Sequence, residues 1–180
     1  MLKLMSTERV IAAHNEIENA LNKATDRTTE ALKSFVSIKP EENEVFACFE
    51  LFWEQDYTLG YNKFFVKNTD GTQILDPDWG PADEMGKDFL PEVMDYFDKY
   101  YQNMSKETEF TQDEDIDFSE QLERSLFNWF AKCWQMAGGE NCEVPTYFCF
   151  EKEYKVRDLK TGEVMSEQEA ARRLGYNVVS

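Results

Sequence analysis

Residues 44–75 read Glu44-Val-Phe-Ala-Cys-Phe-Glu-Leu-Phe-Trp53, Glu54-Gln-Asp56, Tyr57-Thr-Leu-Gly-Tyr-Asn-Lys-Phe-Phe-Val-Lys67, Asn68-Thr-Asp-Gly-Thr72 and Gln73-Ile-Leu75. Aromatic and β-branched runs of this length, bounded by turn residues, specify the strands of a β-meander. In the first run Val45, Ala47, Phe49, Leu51 and Trp53 fall on one face and Phe46, Cys48 and Phe52 on the other. A strand apolar on both faces is a central strand, covered from both sides. The second run is more polar, with Thr58, Gly60 and Asn62 on the face shared by Phe64 and Val66. Asn68-Thr-Asp-Gly suits a type I turn with glycine in the left-handed position, leading into a short third strand that ends at Leu75.

Upstream, Val10, His14, Ile17, Leu21, Ala24, Thr28, Ala31 and Phe35 recur in alternating steps of four and three. That spacing puts them on one face of a long helix, with Ser6 or Thr7 able to cap its start and Pro40 just beyond its end. The small residues Ala24, Thr28 and Ala31 suit packing across a sheet better than a coiled-coil seam. Downstream, Pro91 opens a helix to about Met104 whose Val93, Met94, Phe97, Tyr100, Tyr101 and Met104 share a face. Asp117 and Glu120 then form a capping pair for a third helix, in which Phe118, Leu122, Leu126, Trp129, Phe130, Cys133 and Ala137 recur at helical spacing until Gly138-Gly139. Residues 144–156 read as one long strand with Pro145 near its start, where a ladder donor can be spared. Ser166-Glu-Gln-Glu169 is a capping box for a short helix closed by Gly175.

The expected fold class is α+β: an antiparallel β-meander sheet packed by a long N-terminal helix and two aromatic-rich helices, with a short C-terminal helix, in one domain over 1–180. A length of 180 residues with 42% hydrophobic and 14% aromatic content supports a core that needs no metal or disulfide staple. Cys48, Cys133, Cys142 and Cys149 form no C-x-x-C pair, and His14 is the chain's one histidine, so no zinc site is expected. The N-terminus has no apolar core long enough for a signal peptide, and no run approaches a membrane span. A cytoplasmic protein with reduced, buried thiols is therefore expected.

Charge is the dominant global property. Thirty-six acids against nineteen bases give a formal charge of −17. Such a field repels nucleic acid and anionic membrane surfaces and accelerates encounter with a basic partner. Residues 76–123 hold sixteen acids against three lysines, a local balance of −13. Within them, Asp76-Pro-Asp-Trp-Gly-Pro-Ala-Asp-Glu84 reads as a loop presenting Trp79 among carboxylates. Its Asp76-x-Asp78 start does not make a calcium loop, because Pro81 stands at the sixth position and Lys87 at the twelfth. Carboxylates concentrated this way form a surface able to cover a cationic cleft, and tryptophan is a frequent interface anchor. The candidate partner-binding residues are Asp76, Asp78, Trp79, Asp83 and Glu84, then Asp113, Glu114, Asp115 and Asp117.

No catalytic residue is assigned, and no cofactor or metal is expected. The chain lacks G-x-S-x-G, G-x-x-x-x-G-K and G-x-G-x-x-G, which removes the hydrolase elbow, the phosphate loop and the dinucleotide turn. A Cys-His or Ser-His-Asp device would have to use His14, whose plainer reading is an edge histidine bonded to a neighbour. Glu169-Ala-Ala-Arg-Arg-Leu-Gly175 has the wording of a first helix in helix-turn-helix DNA readers, but only Tyr176 to Ser180 follow, so no recognition helix is expected.

The order of elements and the acidity, together with the Phe46-Ala-Cys-Phe-Glu-Leu and Asp78-Trp-Gly-Pro segments, resemble the immunity proteins of bacterial polymorphic-toxin and contact-dependent inhibition systems. The resemblance implies a non-enzymatic inhibitor that binds one basic toxin domain, often a nuclease, and blocks its active site. It carries no functional residue across. Two other readings stay open: a small enzyme or ligand-binding domain with a pocket between the sheet and the aromatic helix, and a dimerising regulatory or phage-encoded structural subunit.

Overall fold

The computed structural model describes residues 2–52, 58–78, 112–151 and 155–179. Among them the chain forms α1 (Leu2–Val36), β1 (Glu44–Phe52), β2 (Thr58–Thr69), β3 (Thr72–Asp78), α2 (Gln112–Met136), β4 (Thr146–Phe150), β5 (Lys155–Asp158), β6 (Val164–Ser166) and α3 (Glu167–Arg173). The strands build one six-stranded, mostly antiparallel sheet in the order β3-β2-β1-β4-β5-β6. Each half is a helix followed by a three-strand meander, and the halves meet where β1 pairs with β4. The α+β class and the long N-terminal and short C-terminal helices are as expected.

The first strand lies at the centre and is buried on both faces, from Glu44 to Leu51. On one face Ala47, Phe49 and Leu51 join Ile17, Leu21 and Leu32 of α1 and Leu126, Phe130 and Trp134 of α2. Phe49 is the hub: its ring lies 5.3 Å from Phe35, 4.9 Å from Tyr61, 5.1 Å from Phe130 and 5.5 Å from Trp134. On the other face Val45, Phe46, Cys48, Phe64 and Cys149 pack beneath Ala170 and Ala171 of α3, with Val178 of the chain that follows it. That tail reaches the far edge, where Val178 bridges Gln73 and the amide of Val179 donates to the Gln73 carbonyl at 3.0 Å. Edge strand β3 is thereby partly covered, which protects an otherwise unpaired ladder.

Several elements differ from the sequence expectation, each for a physical reason. The sheet is not a pure antiparallel meander, because β1 and β4 run parallel. Residues 144–156 do not form one strand: β4 ends at Phe150, and β5 turns back antiparallel to it. The third strand continues past Leu75 to Asp78, with Pro77 tolerated because an outer strand can spare a donor. The hairpin turn has positive φ at both Asp70 and Gly71, the type I′ pattern that matches strand twist, rather than type I.

Helix α1 starts at Leu2, so Ser6 and Thr7 lie within it rather than capping it. Its buried stripe runs Ile17, Leu21, Ala24, Thr28, Leu32 and Phe35, leaving Ala31 exposed. A strict seven-residue repeat drifts around a 3.6-residue helix, which moves the contact from Ala31 to Leu32. Helix α2 starts at Gln112, ahead of the Asp117 cap, consistent with the preference of acidic residues for helix N-termini. It ends where expected: Gly138 takes φ 93°, and a Cβ on Gly139 would stand 2.2 Å from Trp134 Nε1. Ser166 caps α3 as read, accepting from the Glu169 amide at 3.1 Å. The aromatic-rich helix expected over 91–104 lies outside the described residues.

Candidate functional site

Helices α1 and α2 run side by side in the same direction, so residues of matching height face each other. The Ser125 hydroxyl of α2 lies 3.1 Å from Nε2 of His14 on α1. One turn along α1, Oε1 of Glu18 lies 3.6 Å from the same Nε2. Deeper, Trp129 Nε1 donates to Thr25 Oγ1 at 3.1 Å, which fixes the spacing of the helices. Between them runs an open groove of about 300 Å³, into which Glu18, Asn22, Ser125, Asn128 and Lys132 project. A second open groove, of about 250 Å³, lies between α2 and the turn joining β5 to β6, lined by Phe127, Ala131, Leu159 and Thr161 among others.

Serine, histidine and glutamate together invite comparison with a nucleophilic triad. In a triad the acid binds one imidazole nitrogen and orients the other toward the nucleophile. Here serine and glutamate both approach Nε2, while the buried Nδ1 has no hydrogen-bond partner among the described residues. Ser125 also sits inside α2, where neighbouring amides belong to the helix ladder and form no oxyanion hole. His14 is thus bonded to Ser125 across the two helices.

The acidic candidates fall in three places. Asp76 and Asp78 lie on β3, the outermost strand, and not on a loop; Asp76 is ion-paired with Lys67, whereas Asp78 is exposed and stands opposite Lys63 in register. Lys63 itself is held by Glu41 across the adjoining turn. Asp113, Glu114 and Asp115 belong, with Asp117, to the opening turns of α2, which begins ahead of the expected cap. Trp79, Asp83 and Glu84 lie outside the described residues.

A polar group that the sequence reading passed over is buried on the α3 side of the sheet. Asn62 Nδ2 donates to Glu50 Oε2 at 2.7 Å, and both side chains are buried. Burial raises the Glu50 carboxyl above its ordinary range; the Asn62 bond opposes the rise, and Glu151 and Glu167 add to it. Burial likewise raises Glu167, in the first turn of α3. The sequence held the signal: alternation through Phe46, Cys48 and Phe52 puts Glu50 on a face otherwise apolar. Cys48 and Cys149 touch on this same face, while Cys133 is buried between the helices and Cys142 is partly exposed. Among the described residues no cluster of three histidine, cysteine or acidic side chains could hold a metal ion, and no helix is long and apolar enough to cross a membrane.

Comparison with known protein families, with curated proteins and with solved structures finds no match to this chain.

Proposed function

We propose that this protein is a non-enzymatic binding protein that inhibits a basic protein partner by covering its active cleft, in the manner of an immunity protein acting on a toxin domain. The observation that carries this reading is the concentration of charge: residues 76–123 hold −13 of the formal −17. Its support on the fold comes from the placement of Asp76 and Asp78 on an outer strand, where Asp78 is exposed, and of Asp113–Asp117 in the opening turns of a helix. Asp76 is already ion-paired with Lys67, so Asp78, exposed and opposite a Lys63 that pairs with Glu41, is the strand carboxylate on which the reading rests. Complementary charge raises association rates and makes them sensitive to salt.

The test has two steps. Affinity capture from the source cell at low and moderate salt should recover a basic protein, and the purified chain should abolish that protein's activity. Association rates are then measured for Asp78→Lys, and for a variant reversing Asp113, Glu114, Asp115 and Asp117. Association at least tenfold slower, with a flatter salt dependence, is the expected result. A captured partner whose kinetics ignore both sets of reversals removes the acidic surface from the mechanism. Failure to recover any basic partner at either salt removes the inhibitor reading itself.

A further inference from the structure

The thiols of Cys48 and Cys149 share the buried seam between the two halves of the sheet. Cys48 donates to Cys149 Sγ at 3.4 Å and lies 3.6 Å from the Phe49 carbonyl oxygen. Cys48 stands opposite Tyr147 and Cys149 opposite Glu50, so the two are diagonal neighbours across the parallel β1–β4 pair. Cys48 is wholly buried, whereas Cys149 keeps 7% of its surface. The remaining thiols face other groups: Cys133 the Thr25 carbonyl at 4.0 Å, and Cys142 the Thr146 hydroxyl at 3.9 Å.

We propose that Cys48 and Cys149 form a reversible oxidation site, at which a peroxide converts the pair to a cross-strand disulfide that staples β1 to β4. In the first step Cys149 Sγ attacks a peroxide oxygen. The O–O bond breaks, leaving a Cys149 sulfenic acid and, with the thiol proton, one water. In the second, the Cys48 sulfur displaces the hydroxyl from Cys149. An S–S bond forms, the S–O bond breaks, and the Cys48 proton leaves in a second water. Two electrons have passed from the sulfur pair to hydrogen peroxide, and a dithiol returns them on reduction.

The environment sets the order of events. Burial holds the Cys48 thiol well above its ordinary range, reinforced by Cys149 and by the Glu50 and Glu167 carboxyls. Cys149, the less enclosed of the two, meets the peroxide first; Cys48, wholly enclosed, is the resolving partner and gives up its proton as it attacks the sulfenic sulfur. A disulfide holds its sulfurs at about 2.05 Å and diagonal neighbours on paired strands stand about 7–8 Å apart at Cα, the outer limit of its span, so closure requires β1 and β4 to shift at the seam as well as both side chains to rotate. The cross-link closes a long loop between the two halves, the arrangement in which it restricts the unfolded chain most.

The experiment uses the full chain under native conditions, with Cys142→Ser to remove the most exposed thiol. Hydrogen peroxide is added, free thiols are alkylated, and the protein is mapped by mass spectrometry. The expected product is about 2 Da lighter, contains a peptide linking Cys48 to Cys149, reverts with dithiothreitol and melts on the order of 5–10 °C higher. Cys149→Ala should abolish the link and the rise. Two results would overturn the proposal: both cysteines recovered as free thiols after peroxide treatment, or a link that forms only in denaturant.

Discussion

Asn62 donates its side-chain amide to Glu50 across the β1–β2 pair, in a 2.7 Å hydrogen bond buried beneath the layer that contains α3. The bond gives a buried carboxyl a polar contact, and burial outweighs it in setting the protonation of Glu50. A carboxyl whose pKa is raised on folding binds its proton more tightly in the native state. Its contribution to stability is therefore fully present below the unfolded value, near 4.5, and is lost as pH rises through the folded value. Glu50→Gln keeps the acceptor and removes the titration. It should match the native chain in urea near pH 4 and exceed it by on the order of 1 kcal/mol at pH 8, in the range of a single buried polar change. Parallel curves from pH 4 to pH 8 would show that Glu50 does not titrate in this way.

Asn62→Leu tests the same bond from the other side. It leaves the Glu50 carboxylate without its amide donor, and a stability loss of about 1–3 kcal/mol is expected at neutral pH. The double variant with Glu50→Gln should recover part of that loss, because a neutral amide tolerates burial better than a carboxylate. Additive losses in the double-mutant cycle would mean that the two residues act independently.

Gly139 is required by Trp134 rather than by its own backbone angle. A Cβ there would fall 2.2–2.4 Å from three atoms of the indole, which is itself packed against Phe49. Gly139→Ala must displace a buried ring, at a cost of about 1–3 kcal/mol. Near-ultraviolet circular dichroism should change together with the urea midpoint. An unchanged aromatic signal would count against the contact.

Phe49 joins both helices to both strands of the central hairpin. Truncation to alanine removes four ring contacts in a fully buried site, for which about 3–5 kcal/mol is expected. Phe148, which reaches Phe130 and Phe150 at 4.9 and 5.1 Å on the same layer, should cost a similar amount. Thermal unfolding of the two single variants and of the double variant would reveal whether the halves of the layer melt as one unit.

Ser166 holds the start of α3 through the Glu169 amide, and Arg173 ties its end to Glu163 and Glu169. Ser166→Ala should cost about 1 kcal/mol, as a lost helix cap. Arg173→Ala should cost less, because exposed ion pairs contribute little. Since α3 covers Cys48 and Cys149, hydrogen exchange of the β1 and β4 amides should rise in Ser166→Ala before global stability fails.

What could be read from the sequence followed from local rules. The double-faced apolarity of 45–52 identified a central strand, helical spacing gave the long first helix and the core of 122–134, and the Ser166 box and Gly138 marked their ends. Those signals are legible because they depend on residues within one or two turns of each other. The pairing of β1 with β4 joins residues about a hundred positions apart, and no local pattern encodes its parallel sense. The same is true of the contact between His14 and Ser125, which places serine and glutamate on one imidazole nitrogen, and of the meeting of Cys48 with Cys149. Composition alone determined that the chain is strongly acidic and where its acids concentrate. Only the tertiary structure decided that Asp76 and Asp78 ride on an outer strand and that Glu50 is enclosed, because exposure is a property of what packs above a residue and not of its neighbours in the chain.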